Sequence, residues 1–170
     1  MIIDAIVYTS NTGYTKEHAT LLAKKLELPV YSLDEAQKNL PKQSTIIYLG
    51  WLMASTVQGY KSAAKLYNIA VLCAVCLGPS GSLLDEVKKV NKIPESLPLF
   101  TLQGGFDMER LHGIYKFIMK IVKKALIKEI EGKDAKNEED ENLLKLLEHG
   151  GSAVRAEDHA PIIELVCSSN

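Results

Sequence analysis

The residues best suited to bind a small ligand form one short segment near the N-terminus, between a strand-like run and a helix-like run. The segment reads Ser10, Asn11, Thr12, Gly13, Tyr14 and Thr15. Its three hydroxyl groups and the free backbone N–H groups of a helix start can donate hydrogen bonds, and Gly13 permits a tight turn close to a ligand. Because the positive end of the helix dipole lies at the same place, the segment predicts a site for a phosphate group.

Two patterns that the sequence lacks narrow the kind of phosphate. Neither the G-x-x-x-x-G-K-[ST] pattern of nucleoside triphosphate sites nor the G-x-G-x-x-G pattern of dinucleotide sites is present. A single terminal phosphate therefore fits best. The alternative is that the Ser and Thr residues only cap the helix, as they often do. We favour phosphate binding because the segment follows the first strand of a chain that alternates strands with helices.

Cysteine and histidine form no recognisable site in the sequence. Cys73 and Cys76 match C-x-x-C, but they fall inside an apolar run rather than at a helix start, so we expect small buried side chains and no redox pair. Three cysteines argue against a disulfide framework and fit a reducing cytosol. The four histidines are scattered without ligand spacing, and we predict no metal site.

Length, composition and charge fit one domain over residues 1–170. The chain has 170 residues, of which 46% are hydrophobic, and this is enough for a substantial core. Its formal net charge of −1 does not predict nucleic-acid binding. No apolar run approaches the roughly 18 residues of a transmembrane helix. The N-terminus lacks the features of a signal peptide, so we expect a cytoplasmic protein.

Alternating strand and helix patterns predict the scaffold around the loop. Predicted strands cover residues 2–9, 28–33, 44–50, 69–77 and 97–102. Predicted helices cover residues 15–26, 34–40, 57–67, 82–91 and about 109–131. This alternation indicates an α/β three-layer sandwich with a five-stranded parallel sheet in the order 2-1-3-4-5. We expect residues 1–131 to form the core and residues 132–170 to form a helical C-terminal extension that ends in a short apolar segment at 161–166.

In an open parallel sheet, ligands bind at the carboxyl ends of the strands, where the strand order reverses. The loops that matter most are therefore those at residues 10–15, 50–56 and 78–82. The sequence shows no acid–base or nucleophilic constellation near them, and we predict no catalytic residue. Asp107 follows the fifth strand, where its alternatives are contact with a substrate and a cap, or near-cap, of the long helix. We favour the cap.

The segment from Ser10 to Thr15 resembles the [ST]-x-T-G-x-T loop by which flavodoxins hold the phosphate of FMN. The resemblance covers the strand–helix order through about residue 131 and implies a flavodoxin-like fold with FMN as cofactor. It also implies two loops that flank the flavin ring. The loop after the third strand would supply Gly50, Trp51, Leu52, Met53 and Ala54. The loop after the fourth strand would supply Leu77, Gly78 and Pro79.

The same resemblance suggests aromatic neighbours for the flavin. Trp51 is the candidate for stacking on the ring, and an ordinary buried aromatic is the equal alternative. Tyr14 is a second candidate neighbour of the ring or the ribityl chain. Flavodoxins that act as electron carriers resemble one another in being strongly acidic, and this nearly neutral chain departs from them.

Residues 104–111 and 115–120 are similar to the flavodoxin-like proteins of the menaquinone-dependent protoporphyrinogen oxidase type. This similarity implies a flavin-dependent oxidoreductase, linked to a quinone or to protoporphyrinogen, alongside the simpler role of electron transfer. The expected partner is a redox protein or a small-molecule electron donor or acceptor, and a homodimer is left open. The alternative from another class is a flavin-free binding or regulatory module on the same fold.

The long helix combines apolar residues with a row of lysines. The apolar stripe consists of Leu111, Ile114, Ile118, Ile121, Val122 and Ala125, and the lysines are Lys116, Lys120, Lys123, Lys124 and Lys128. The simpler interpretation is a solvated lysine face opposite the stripe. The other is a peripheral contact of this basic helix with an anionic partner, such as porphyrin propionates or membrane headgroups.

Overall fold

The structure is a computed structural model that describes residues 2–111 and 113–168. Met1, Ser169 and Asn170 lie outside the described residues. His112, which the sequence places in the long helix, also lies outside them.

The described chain alternates strands and helices as predicted. The strands are β1 (Ala5–Thr9), β2 (Val30–Ser32), β3 (Thr45–Met53), β4 (Thr56–Val57), β5 (Asn68–Cys76), β6 (Leu99–Gln103), β7 (Gly105–Phe106) and β8 (Gly151–Ser152). The helices are α1 (Tyr14–Leu26), α2 (Leu33–Asn39), α3 (Tyr60–Leu66), α4 (Leu84–Asn91), α5 (Gly113–Glu131), α6 (Glu138–His149) and α7 (Ala160–Ser168), with a 3-10 helix at Ala156–His159.

The main sheet has the order β2-β1-β3-β5-β6, and neighbouring strands along this path are parallel. Since β5 and β6 are the fourth and fifth strands of the predicted set, the order 2-1-3-4-5 is confirmed. The short strand β4 pairs antiparallel with β3, and β7 pairs antiparallel with β8 in a separate ribbon. The fold is therefore the predicted flavodoxin-like three-layer α/β sandwich.

Apolar side chains cover both faces of this sheet because successive residues of a strand point to opposite sides. Ile6 belongs to a core cluster that also contains Leu22 of α1 and Ile162 of α7. Val7, the next residue of β1, belongs to a second cluster together with residues of α2, α3 and α4. The two clusters hold the strands, and hence the loops at their carboxyl ends, in fixed positions.

The C-terminal half packs differently from the expected division at residue 131. The helix that covers the sheet beside α1 is α7, whose Ile162 and Val166 are buried in the first cluster. The long helix α5 contributes nothing to either sheet cluster among the described residues. We call residues 105–152, which run from β7 to β8, the inserted segment.

The inserted segment closes on a small core of its own. Phe106, Leu146 and Leu147 are its buried centre, and Met119 and Leu126 of α5 pack against them. Leu77, from the end of β5, joins the same cluster, so the segment lies against the carboxyl edge of the main sheet. Within residues 2–111 and 113–168, no helix is both long enough and apolar enough to cross a membrane.

Candidate functional site

The candidate site lies at the carboxyl edge, where β1 and β3 diverge. Thr9, the last residue of β1, pairs with Gly50, and Gly50 pairs on its other side with Ala74 of β5. Since α1 and α3 leave this edge toward opposite faces of the sheet, the segment after Thr9 opens at the place where doubly wound folds bind ligands.

The predicted phosphate loop forms a left-handed turn into α1. Gly13 is the N-cap residue with φ 101, a value that glycine adopts without strain. Among the residues that the structure describes, no side chain caps this helix, and the Ser10 hydroxyl instead accepts a hydrogen bond from the Gly13 N–H at 3.1 Å. The first-turn N–H groups therefore lack the side-chain partner that most helix starts have, and they carry the positive end of the dipole.

The residues of this loop differ in how far they can reach a ligand. Ser10 and Thr12 are half-buried and Asn11 is exposed. Thr15, in the first turn of α1, is buried. Of the three residues that carry the predicted hydroxyls, Ser10 and Thr12 are therefore more exposed than Thr15.

A cation that the sequence analysis did not assign lies beside this loop. The Arg110 guanidinium donates a hydrogen bond from Nη1 to the Thr12 carbonyl at 3.1 Å. Its Nε lies 3.0 Å from the Asp107 carboxylate, which holds the guanidinium at the loop. Arginine binds phosphate well because its planar fork presents several N–H donors. The sequence offered one signal for Arg110: it follows the fifth predicted strand, and that strand ends at this same edge of the sheet.

Asp107 does not cap the long helix as predicted. Its Oδ1 accepts a hydrogen bond from the Glu109 N–H at 2.8 Å, which closes a turn, while α5 begins only at Gly113. The chain therefore makes an extra turn before the helix, and this turn is what brings Arg110 to the phosphate loop.

The ring of Tyr14 packs against the inserted segment. Only 6% of the residue is exposed, and a side chain at Gly105 would collide with its ring. The Arg110 guanidinium carbon lies 5.7 Å from the ring centroid. Burial raises the pKa of the phenol, and the nearby Asp107 carboxylate raises it further. Tyr14 thus joins α1 to the inserted segment.

The predicted loop from Gly50 to Ala54 is wrong as a loop, because β3 continues to Met53. Gly50 is a buried strand residue, and a Cβ there would lie 2.6 Å from the Gln58 carbonyl oxygen. Leu52 pairs with Val57 and Met53 with Thr56, so the chain forms a hairpin. Apolar residues continue past the glycine, which lets the strand extend.

Two left-handed residues form the tip of this hairpin. Ala54 and Ser55 have φ values of 46 and 59, as the two central residues of a tight hairpin turn require. The buried Asn91 of α4 fixes the hairpin: its Oδ1 accepts from the Val57 N–H at 2.9 Å and its Nδ2 donates to the Ser55 carbonyl at 2.8 Å. The hairpin extends beyond the last paired residue of β1.

Trp51 lies at the start of this projection, where it pairs in register with Val75. Its side chain is half-buried, and its ring meets that of Tyr115 on α5 edge to face, with centroids 5.6 Å apart. Such an edge-to-face pair is a favourable aromatic contact. Trp51 is therefore at the candidate site's edge, tied to the inserted segment.

The segment after β5 is folded tightly on itself. The Gln103 side chain donates to the Leu77 carbonyl at 3.2 Å, and the Ser82 hydroxyl donates to the Pro79 carbonyl at 2.6 Å. The Cys76 thiol lies 3.4 Å from the Gly78 carbonyl, and burial raises its pKa. A neutral thiol is a poor nucleophile, which agrees with the prediction that Cys73 and Cys76 are not a redox pair.

A buried pair of histidines lies beside the end of β6, and the spacing of the histidines in the sequence does not predict it. His18 Nδ1 lies 2.8 Å from His159 Nε2, although 141 positions separate them, and His18 Nε2 lies 2.9 Å from the Gln103 carbonyl. Because a carbonyl only accepts, His18 carries its proton on Nε2, and His159 donates from Nε2 to His18 Nδ1.

The unprotonated Nδ1 of His159 is buried, with no hydrogen-bond partner among the described residues. Burial lowers the pKa of both rings, that of His159 to about 4, and the neighbouring His18 ring contributes to the second shift. Facing acids partly oppose these shifts: Asp158 acts on both rings, Glu17 on His18 and Glu157 on His159. Both rings are therefore neutral at neutral pH.

Neither family models, nor curated proteins, nor solved structures show a match to this chain. The fold and the geometry of the carboxyl edge therefore carry the functional argument.

Proposed function

We propose that this protein binds FMN and acts in electron transfer or as a flavin-dependent oxidoreductase. The observation that carries the proposal is the arrangement around the first loop. A helix start without a side-chain cap, a left-handed Gly13 and the Arg110 guanidinium meet at the point where β1 and β3 diverge. Backbone N–H groups, a helix dipole and an arginine are together suited to the dianionic phosphate of a mononucleotide.

The two other predicted segments supply positions for the flavin ring. Trp51 and Met53 lie in the last part of β3, the strand next to β1, and Ala54 follows it. Leu77 to Pro79 follow β5, the next strand of the sheet. A ring whose phosphate lies at the first loop would be flanked by these two segments. Leu52 packs toward the second sheet cluster and Gly50 is buried, so we assign them a supporting role rather than contact with the ring.

The redox chemistry would belong to the bound FMN, and the protein would position it and tune its potential. The protein's own residues bind the phosphate, orient the ring and exclude water from one side of it. We assign no catalytic residue. The electron donor and acceptor would be a redox protein or a small molecule, met in the cytoplasm.

A matched pair of substitutions on α1 and its loop tests the phosphate site. Thr12→Glu places a carboxylate at the loop and should weaken FMN binding at least about tenfold, because two anions then share one site. Thr20→Glu adds the same charge on an exposed part of α1 and should leave the affinity nearly unchanged. Flavin fluorescence titration gives both dissociation constants.

Riboflavin, which has no phosphate, provides the second comparison. Arg110→Gln should weaken FMN binding by about ten- to a hundredfold and affect riboflavin much less, since a charged hydrogen bond to phosphate contributes about 1.5–3 kcal/mol. If Thr12→Glu and Arg110→Gln each weaken the binding of FMN and of riboflavin equally, this loop does not hold the phosphate. A protein that takes up neither flavin would support the flavin-free module instead.

A further inference from the structure

The outer face of α5 carries large apolar side chains that nothing in the described structure covers. Ile114 is 68% exposed, Phe117 65% and Ile121 57%, and Ile118 lies between them at 36%. Their spacing of three, four and seven residues places them on one stripe of the helix. We call these four residues the apolar stripe of α5.

This stripe is not the side by which α5 packs on the protein. Met119, Leu126 and Ile127 turn toward the small core of the inserted segment, and Ile130 is the buried residue of the helix. The simpler interpretation of the sequence has Ile114, Ile118 and Ile121 opposite a solvated lysine face. The structure instead leaves them in solvent beside the lysines.

The lysines form a ladder along one edge of the stripe. Lys116, Lys120, Lys124 and Lys128 follow one another at intervals of four, so they are neighbours on the helix surface. Residues 113–128 contain no Asp or Glu. Lys116 has one distant partner, Glu109 at 3.9 Å, and the other three lysines form no ion pair within the described part of the chain. The ladder is therefore a nearly uncompensated row of positive charge.

From this combination we infer that α5 docks on the surface of an anionic lipid bilayer, with the apolar stripe inserted at the level of the headgroups and the lysine ladder on the lipid phosphates. Helices that lie in a membrane interface have an apolar face with bulky residues and a lysine-rich polar face. A second copy of this chain fits less well, because two lysine ladders brought together would repel each other.

Docking of this kind would bring the candidate site close to the bilayer. Tyr115, on the same helix, contacts Trp51 at the carboxyl edge of the sheet. The inference goes beyond the proposed function and does not depend on FMN, because the vesicle measurements below need no flavin.

Sedimentation of the full chain with lipid vesicles tests the docking. We expect binding to vesicles that contain phosphatidylglycerol, little binding to vesicles of phosphatidylcholine alone, and weakening by added salt. Two double variants should each reduce the binding about tenfold: Phe117→Ser with Ile121→Ser, and Lys120→Glu with Lys124→Glu.

Matched controls exist elsewhere on the surface. Lys61→Glu with Lys65→Glu makes the same charge change at the same spacing on α3, and Ile2→Ser with Val90→Ser removes two exposed apolar side chains. Both controls should bind vesicles nearly as the unaltered chain does. Thermal melting of each variant shows that it is folded.

Four results would overturn the inference. The first is no binding to either vesicle, and the second is equal loss in the α5 variants and their controls. The third is a dimer in solution that the Phe117→Ser, Ile121→Ser variant dissociates, because a second copy would then cover the stripe. Retained binding after reversal of Lys120 and Lys124 would equally contradict the role of the ladder.

Discussion

The main sheet with its flanking helices, which we call the sheet domain, and the inserted segment use amphipathic helices in opposite ways. In the sheet domain, α1 and α7 bury the centres of their apolar faces, as the fully buried Leu22 and Ile162 show. In the inserted segment, α5 has an equally regular pattern of apolar residues but leaves Phe117 and Ile121 more than half exposed. Helical periodicity therefore identifies an apolar face without telling what covers it.

The difference follows from the surface that each helix meets. The main sheet offers a broad apolar face on which a helix can bury a whole stripe. The inserted segment offers only the small cluster around Phe106, Leu146 and Leu147, which accommodates one side of α5. A long apolar helix against a small core must leave part of its surface outside.

The same Ile→Ala substitution in each region tests this difference most strongly. Ile162→Ala in α7 should lower the free energy of unfolding by about 2–5 kcal/mol, because it opens a cavity in the first core cluster. Ile121→Ala in α5 should change it by less than about 0.5 kcal/mol, since that side chain is exposed. Urea denaturation measures both values. Equal losses would mean that the outer face of α5 is covered in the folded protein.

The histidine pair offers a pH-dependent test of how α7 is held to the sheet domain. The folded pKa of His159 is about 4, below its ordinary value of 6.5, so folding favours the neutral ring. Its contribution is fully present above pH 6.5, since the ring is then neutral in both states, and is lost as the pH falls toward 4. We expect a loss of about 1–3 kcal/mol of stability over this window.

The substitution His159→Gln separates this contribution from ordinary acid denaturation. The Gln side-chain amide can donate to His18 Nδ1 as His159 Nε2 does, but it does not titrate. Stability of this variant should therefore fall less steeply than that of the unaltered chain between pH 6.5 and 4. His149→Gln, on the exposed end of α6, is the control and should follow the unaltered chain. An unchanged pH profile in the His159→Gln variant would show that the pair does not titrate in this way.

Removing a helix cap in each of the two regions should have a smaller effect on stability. Ser32 and Glu35 form a capping box at the start of α2, and Asn137 and Asp140 form one at the start of α6. Ser32→Ala and Asn137→Ala should each cost about 1 kcal/mol. Hydrogen exchange should show the first loss across the sheet domain and the second mainly in α5 and α6, if the inserted segment opens by itself. Identical exchange patterns would show that both regions unfold together.

The sheet could be predicted because its signals are local. The runs at residues 46–50 and 69–77 lack charged and strongly polar residues, as expected of strands buried on both faces, and each is followed by a helical pattern. The first loop could be found for the same reason, since its residue types lie together between one strand and one helix. The strand order then followed from right-handed crossovers.

The rest depends on contacts between residues far apart in the chain. Arg110 reaches Thr12 only because a turn at Asp107 delays the start of α5. The contact of His18 with His159 requires α7 to pack beside α1, and the apolar segment at 161–166 gave no sign of that placement. The hairpin that follows β3 is held by Asn91, a residue of a distant helix, through hydrogen bonds with Val57 and Ser55.

Titration of the purified protein with FMN tests the central claim most directly. Quenching of flavin fluorescence would be followed to saturation, with riboflavin measured in parallel under the same conditions. We expect equimolar binding of FMN and clearly weaker binding of riboflavin, because the first loop holds the phosphate. A protein that leaves the fluorescence of FMN unchanged, or that binds both flavins with equal affinity, would contradict it.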